Sequence, residues 1–118
     1  MAKSAKDMVS EAGREVPKVS AEEAASMHGR PDVVFVDVRE PGEVANGKVE
    51  GALAIPRGLL EFQADPGAEG RPAPLSQDKT ILVYCAAGGR AALAGKTLRE
   101  MGYTDVRNAG GYKDLAGA

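Results

Sequence analysis

The sequence predicts an α/β domain with a mainly parallel central sheet flanked by helices on both faces. Two segments, residues 33–38 and 80–84, carry β-branched and apolar residues at consecutive positions, as strands covered on both faces do. Segments with helical spacing alternate with these strands, which is typical of a parallel α/β sheet. The chain has 118 residues, so a single domain is the simplest organisation.

The N-terminal part of the chain predicts two helices. Residues 1–16 are interpreted as an extension with a short amphipathic helix, because apolar residues recur there at roughly helical spacing. Pro17 ends this segment, and residues 17–118 are expected to form the main domain. A second helix is expected to begin at a capping box, formed by Ser20 and by Glu23 three positions later.

The middle of the chain predicts short elements and one long loop. Residues 40–47 indicate one or two helical turns, with a proline near the start and a glycine past the end. Residues 52–56 predict a short strand that a proline ends, and residues 58–62 predict a helix. Residues 65–79 contain three prolines and two glycines, which favours a surface loop.

The last third of the chain predicts a strand, a helix and a final strand. After the strand at residues 80–84 come two glycines, and the apolar residues that follow them occupy one face of a helix. Gly102 stands where a C-terminal glycine cap is expected. A short strand around Val106 then precedes Gly110 and Gly111, and a short helix is expected at the C-terminus.

Composition and charge exclude several classes of function. The net charge is −2 with both signs mixed along the chain and no basic run, so no nucleic-acid surface is expected. No apolar stretch approaches the length of a membrane span, and the N-terminus lacks the apolar region of a secretory signal. One cysteine allows no intramolecular disulfide, and one cysteine with one histidine makes no structural zinc site. We therefore expect a cytoplasmic monomer with no metal, cofactor, membrane partner or nucleic-acid partner.

The single cysteine, Cys85, ends a predicted strand and precedes a predicted helix. Gly88 and Gly89 allow consecutive backbone N–H groups to converge on one point, and the helix N-terminus adds a partial positive charge there. Such a setting favours the thiolate, which is the nucleophilic form of cysteine. Arg90 adds a cation beside the first helical turn, where an anion would balance it. The alternative is an inert buried thiol followed by an ordinary turn.

Several blocks of the sequence are similar to the rhodanese family. The segment Cys-Ala-Ala-Gly-Gly-Arg at residues 85–90 resembles the active-site loop of that family, Cys-x-x-Gly-x-Arg or Ser. The Asp-Val-Arg-Glu segment at residues 37–40, with the Gly-Ala and Ile-Pro pairs after it, resembles a second family block. Gly-Gly-Tyr at residues 110–112 resembles the closing block, and together the resemblance covers residues 17–115.

Two positions depart from the family pattern. Lys48 stands where members usually carry histidine, and it is expected to be a solvated surface charge. Asp114 and Leu115 occupy a region where a tryptophan is common. Both departures concern packing more than chemistry.

The resemblance implies a rhodanese-like fold and a sulfurtransferase activity without a cofactor. In this interpretation Cys85 takes the outer sulfur of a donor, thiosulfate or a persulfide, and holds it as a cysteine persulfide. A thiophilic acceptor, such as cyanide, a cellular thiol or a protein, then removes the sulfur. The loop residues that would bind the substrate are Ala86, Ala87, Gly88, Gly89 and Arg90.

Two other functions remain open at this point. A non-catalytic rhodanese-like module would carry sulfur or bind a partner without useful turnover. A cysteine-dependent phosphatase or arsenate reductase is the other alternative, but the related phosphatases place five residues between Cys and Arg. Four residues separate Cys85 from Arg90 here, and a smaller ring suits one terminal sulfur better than a tetrahedral phosphate.

Three further residues are candidates for the site. Asp37 ends a predicted strand, so Asp37 and Arg39 could line the site. The favoured alternative is an internal salt bridge, for example between Arg39 and Glu43. His28 falls in the last turn of a predicted helix, where a cation is favoured, and is not expected to pair with Cys85 as in a cysteine protease.

Overall fold

Four parallel strands form one sheet within residues 2–118, the part of the chain that this computed structural model describes. In chain order the strands are β1 (Val33–Asp37), β2 (Leu53–Ala54), β3 (Thr80–Cys85) and β4 (Asp105–Gly111). Their order across the sheet is β2-β1-β3-β4, and every pairing is parallel. The prediction of an α/β domain with a mainly parallel sheet is therefore confirmed.

Helices connect and cover these strands. They are α1 (Ala5–Glu15), α2 (Ala21–Met27), α3 (Pro41–Val44), a 3-10 turn (Arg57–Leu59) continuing into α4 (Leu60–Ala64), α5 (Gly89–Glu100) and α6 (Tyr112–Ala116). The predicted capping box of Ser20 and Glu23 starts α2. Residues 65–79, all of which the structure describes, form turns and bends instead of helix or strand, as predicted. None of the helices in residues 2–118 combines the length and apolar character that a membrane span requires.

The two faces of the sheet bury different sets of side chains. On one face, Val36, Val83 and Cys85 pack with the apolar side chains of α4 and α5. On the other face, Phe35 and Tyr84 pack with those of α2 and α6. Because side chains alternate along a strand, Tyr84 and Cys85 point to opposite faces although they are neighbours in sequence.

The N-terminal helix α1 packs directly on α5. Ala12 in the last turn of α1 and Val16, the residue that follows the helix, are buried. Gly95 of α5 permits this close approach, because a Cβ atom at that position would lie 2.8 Å from Cγ1 of Val16. An ion pair between Lys96 and Glu15, 3.5 Å apart, lies at the edge of the same contact. The helix that carries the predicted active-site loop is therefore buttressed by the first helix of the chain.

The final strand is longer than the sequence predicts. A short strand around Val106 was expected to end before Gly110 and Gly111, whereas β4 continues through Gly111. The reason is its pairing with β3, in which Cys85 lies opposite Gly111 after a shift of register. Gly110 adopts a φ of 81°, a left-handed conformation that favours glycine, and so accommodates the irregularity.

Candidate active site

The Sγ atom of Cys85, at the carboxyl end of β3, accepts hydrogen bonds from two backbone amides. The residue is 1% exposed. Its sulfur accepts hydrogen bonds from the amide of Gly88 at 3.0 Å and from the amide of Ala91 at 3.4 Å. The sequence interpretation named residues 86–90 as the ring and so missed Ala91, whose amide belongs to the first turn of α5.

The local backbone explains why these amides turn toward the sulfur. Gly88 is the N-cap of α5 with a φ of 100°, which lets the chain reverse between strand and helix. The first amides of a helix have no intrahelical acceptor, and the one at Ala91 is directed to Cys85. The amides of Gly89 and Arg90 belong to the same first turn of α5, where backbone N–H groups have no intrahelical acceptor.

Asn108 of β4 fixes the outer side of this loop. Its Nδ2 atom donates to the carbonyl of Gly88 at 3.1 Å, while its Oδ1 atom accepts from the amide of Gly110 at 2.8 Å. The side chain is buried and joins the loop to the neighbouring strand. The sequence interpretation did not select Asn108, since no local pattern links it to a loop 20 residues earlier.

Gly111 permits the close approach of β4 to the same loop. A Cβ atom at this position would overlap with the carbonyl oxygen of Ala86 and would lie 3.2 Å from its carbonyl carbon. The overlap is with backbone atoms, so rotation of a side chain could not relieve it. A glycine at this point of the closing Gly-Gly-Tyr segment is thus a steric requirement of the loop position.

Arg90 is held by Glu43 of α3. The Nη1 atom of Arg90 donates to Oε1 of Glu43 at 2.7 Å, and its Nη2 atom donates to Oε2 at 3.0 Å. This bidentate pair joins the start of α5 to α3, 47 residues earlier in the chain. Both terminal nitrogens of Arg90 are thus committed to a carboxylate of the protein. The proposed role of Arg90 in substrate binding stays a prediction.

The ion pair with Arg90 lowers the pKa of the Glu43 carboxyl group. The hydrogen bonds from the Arg90 side chain and from the Glu40 amide lower the pKa of Glu43 to about 2. Since the folded pKa is lower than that of an unfolded glutamate, about 4.3, the pair stabilises the fold above that value. We expect this contribution to be lost as the pH falls through about 2.

Carboxyl-carbon NMR titration of the folded protein would check this prediction. The Arg90→Gln variant should raise the pKa of Glu43 toward that of a free glutamate, whereas Arg99→Gln, a change at the other end of α5, should leave it low. A Glu43 carboxylate that titrates near the ordinary value in the unmodified protein would contradict the assignment.

The Asp37–Arg39 pair lies on the opposite side of the sheet from Cys85. Asp37 is fully buried, and its Oδ2 atom accepts from Nη2 of Arg39 at 2.8 Å. The same nitrogen donates to the carbonyl of Gly47 at 2.7 Å, and the guanidinium lies 4.3 Å from the ring centre of Tyr112. The internal salt bridge favoured for Arg39 is therefore present, but its partner is Asp37; the example of Glu43 as partner is wrong, because Glu43 pairs with Arg90. Arg39 precedes α3 instead of lying within it, so the two residues do not share a helical face.

The Asp37–Arg39 pair supports the site indirectly. It lies beside Tyr84, whose hydroxyl accepts from the amide of Val49 at 2.9 Å. Burial raises the pKa of Tyr84 well above its ordinary value. Tyr84 immediately precedes Cys85, so these contacts fix the end of β3 on the face opposite the sulfur. The amides of Gly88 and Ala91 contact the sulfur itself.

The remaining sequence candidates lie away from the sulfur. The Nε2 atom of His28 is 2.7 Å from the carbonyl oxygen of Glu50, and its ring packs edge-on against Phe35 on the face opposite Cys85. Lys48 is exposed, as expected, and donates to the carbonyl of Ala52 at 3.0 Å. Within residues 2–118 no three His, Cys, Asp or Glu side chains come together in a group that could hold a metal ion.

Comparison with known proteins identifies similar sequences and folds. A family model described as rhodanese-like domain matches residues 20–118. The chain is 43% identical over 84 residues to the thiosulfate sulfurtransferase PspE of Escherichia coli K12, covering 70% of this chain and 73% of that protein. It is 34% identical over 105 residues to the human thiosulfate:glutathione sulfurtransferase, covering 83% of this chain and 91% of the relative.

A solved structure is similar over almost the whole chain. It is that of a protein of unknown function from Rhodopseudomonas palustris CGA009, described as a possible tyrosine phosphatase. The two chains are 35% identical, with a TM-score of 0.89, and the similarity covers 99% of this chain and 92% of the other. The fold thus agrees with that of a known protein, and the names of the similar proteins describe two different activities, a sulfurtransferase and a possible tyrosine phosphatase.

Proposed function

Because this chain belongs to the rhodanese-like domain family, we propose that it is a sulfurtransferase that works through a persulfide on Cys85. The donor is thiosulfate or another sulfane-sulfur compound, and the acceptor is cyanide, a cellular thiol or a protein thiol. Relatives named as thiosulfate sulfurtransferases support the general activity. The hydrogen bonds from the amides of Gly88 and Ala91 to Sγ are the observation that carries the proposal.

The first step forms the persulfide. The Cys85 thiolate attacks the outer sulfur of thiosulfate, and a bond forms between Sγ and that sulfur. The sulfur–sulfur bond of thiosulfate breaks, and sulfite leaves with the electron pair. Amides directed at Sγ stabilise the anionic sulfur before attack, and those of Gly89 and Arg90 stabilise the negative outer sulfur afterwards. The protein therefore supplies donors for both anionic states without a side-chain base.

The second step returns the enzyme to its starting form. An acceptor thiolate or cyanide attacks the outer sulfur, the bond from that sulfur to Sγ breaks, and the Cys85 thiolate leaves. Since Cys85 is the only cysteine of the chain, no second thiol of the chain can resolve the persulfide. Sulfur must therefore leave to an external acceptor, and the kinetics should be of the ping-pong type.

Intact-mass measurement tests the proposal directly. After incubation with thiosulfate and removal of the excess, we expect the protein mass to increase by one sulfur atom, and cyanide should reverse the increase. Peptide mapping should place the added sulfur on Cys85. If no sulfane donor adds sulfur, the sulfurtransferase proposal is wrong. Loading that no acceptor discharges would indicate the non-catalytic carrier function instead.

Phosphatase activity is the second candidate, because the similar R. palustris protein is described as a possible tyrosine phosphatase. Two features of this chain disfavour it. Four residues separate Cys85 from Arg90, which makes a small ring. The terminal nitrogens of Arg90 also bind Glu43, so Arg90 would have to leave this carboxylate to bind a phosphate. Parallel assays with p-nitrophenyl phosphate and thiosulfate separate the two activities.

A further inference from the structure

A buried asparagine, Asn108 of β4, is linked to the sulfur of Cys85 through a single residue. Its Nδ2 atom donates to the carbonyl of Gly88 at 3.1 Å, and the amide of Gly88 donates to Sγ at 3.0 Å. Asn108 is 5% exposed. Burial of a polar side chain costs free energy unless the side chain is hydrogen-bonded. The bonds of Asn108 to Gly88 and to Gly110 therefore account for a polar group at this interior position.

The backbone of Asn108 is held on both sides. In the sheet it lies opposite Val83 of β3. On its other side, its amide donates to the carbonyl of Pro17 at 2.8 Å, and its carbonyl accepts from the amide of Val19 at 3.0 Å. The side chain therefore extends from a fixed point, and it can determine where the carbonyl of Gly88 lies.

Gly88 needs such a contact because its own backbone is free to rotate. Its φ of 100° is one of many conformations that are open to glycine. Its carbonyl accepts one hydrogen bond from Asn108 and one from the amide of Ala92 at 3.0 Å, which is the first helical bond of α5. The amide and the carbonyl of a residue move together when its backbone rotates. Fixing the carbonyl therefore keeps the Gly88 amide directed at Sγ.

We propose that Asn108 is a positioning residue for the removal of sulfur from Cys85, and that it has little effect on the loading of sulfur. The inference rests on the proposed sulfurtransferase function. When cyanide attacks the outer sulfur of the persulfide, a carbon–sulfur bond forms and the bond from that sulfur to Sγ breaks. The electron pair stays on Sγ, which becomes a thiolate, and thiocyanate leaves. Negative charge thus develops on the atom that the Gly88 amide contacts.

The two steps respond differently because Sγ has opposite roles in them. In the removal step Sγ is the leaving group, and a better stabilised thiolate leaves faster. In the loading step Sγ is the nucleophile. Weaker hydrogen bonding then leaves less of the sulfur as thiolate, but the remaining thiolate is more reactive, so the two effects oppose each other. Loss of the Asn108 hydrogen bond should therefore slow removal and change loading little.

Rapid-quench kinetics of the separate steps test this role. Asn108→Leu removes the side-chain hydrogen bonds with little change of size and no change of charge. We expect discharge of the loaded protein by cyanide, measured as thiocyanate, to become about tenfold slower. Loading by thiosulfate, measured by intact mass, should change by less than about threefold. A variant that is only loosened would lose both steps to the same extent, and equal losses would overturn the proposal.

Two further variants complete the kinetic test. Asn108→Ser is a smaller change that should also slow discharge more than loading, and it serves if Asn108→Leu does not fold. Asn46→Ser is the matched control, because Asn46 is the other asparagine of the chain and its Nδ2 atom also donates to a glycine carbonyl, that of Gly42 at 3.4 Å. Asn46 is exposed, and both rates should stay unchanged there. Discharge that slows equally in Asn46→Ser and Asn108→Ser would also overturn the proposal.

The amide of Gly88 gives a readout that needs no sulfur transfer. In NMR spectra of the unloaded protein, Asn108→Leu should move the amide proton signal of Gly88 upfield, as expected for a weaker hydrogen bond to Sγ, and an unmoved signal would contradict the positioning role. If no sulfane donor loads the unmodified protein, the proposed function is refuted and this inference with it. If Asn108→Leu loads and discharges like the unmodified protein, this inference alone is refuted.

Discussion

Replacing Cys85 with serine is expected to lower sulfur transfer from thiosulfate to cyanide by at least about a thousandfold. The chain has no second cysteine that could take over. A serine hydroxyl is a weak nucleophile unless an adjacent base removes its proton. The groups that contact Sγ here are the backbone amides of Gly88 and Ala91, which donate hydrogen bonds and cannot accept that proton. These amides should therefore stabilise a thiolate at position 85 but should not activate a serine hydroxyl there.

Thiocyanate formation measures this loss, and two controls define it. The Cys85→Ala variant should be equally inactive, because the proposed chemistry needs the sulfur itself. Circular dichroism and urea unfolding should show that Cys85→Ser stays folded, since serine and cysteine are close in size and Sγ makes no bond to another side chain among its described contacts. Turnover by Cys85→Ser within tenfold of the unmodified protein would show that sulfur does not pass through this residue.

The sequence predicted those parts of the fold that depend on local signals. Runs of apolar residues located β1 and β3, and the capping box of Ser20 and Glu23 located the start of α2. The glycines after Cys85 predicted a sharp turn into a helix, and Gly88 does adopt the left-handed conformation there. Each of these features depends on residues within a few positions of one another, so the local sequence is enough to predict it.

The parts that the sequence could not predict depend on contacts between distant segments. Asn108 and Glu43 hold the loop from β4 and α3, and neither residue has a local pattern that marks it. The role of Ala91 depends on where α5 begins, because the start of the helix determines which backbone amides point at Sγ. The sequence does not locate this start to within one residue. The length of β4 likewise depends on a distant contact, the close approach of the Gly111 backbone to the carbonyl of Ala86.

Removing the charge of Asp37 is expected to give the largest loss of stability. Asp37 is fully buried and Arg39 is 7% exposed, so an uncompensated charge would remain inside the protein. Breaking a buried pair by removing one partner costs about 3–5 kcal/mol. We expect Asp37→Asn to lower the free energy of unfolding by about 3 kcal/mol, because Arg39 would keep Gly47 and Tyr112 as partners but lose its carboxylate. Urea unfolding monitored by circular dichroism measures the change.

The chain contains a matched control for this variant. Asp32 and Arg30 are also an aspartate and an arginine two residues apart, with Nη2 and Oδ2 3.1 Å apart, but their side chains are 60% and 55% exposed. Water solvates both charges there, so Asp32→Asn should change the free energy of unfolding by less than about 1 kcal/mol. The same chemical change thus has two expected outcomes that differ only because of burial. Equal effects at the two positions would show that burial of the Asp37–Arg39 pair does not determine the cost of the substitution.

The double variant Asp37→Leu with Arg39→Met separates the cost of an unpaired charge from the value of the pair itself. Apolar replacement of both partners leaves no charge in the interior, and such replacements are often close to neutral. We therefore expect the double variant to be more stable than Arg39→Met alone, whose Asp37 would be buried without its cation. A double variant clearly less stable than the unmodified protein would mean that the pair stabilises the fold by more than its desolvation costs.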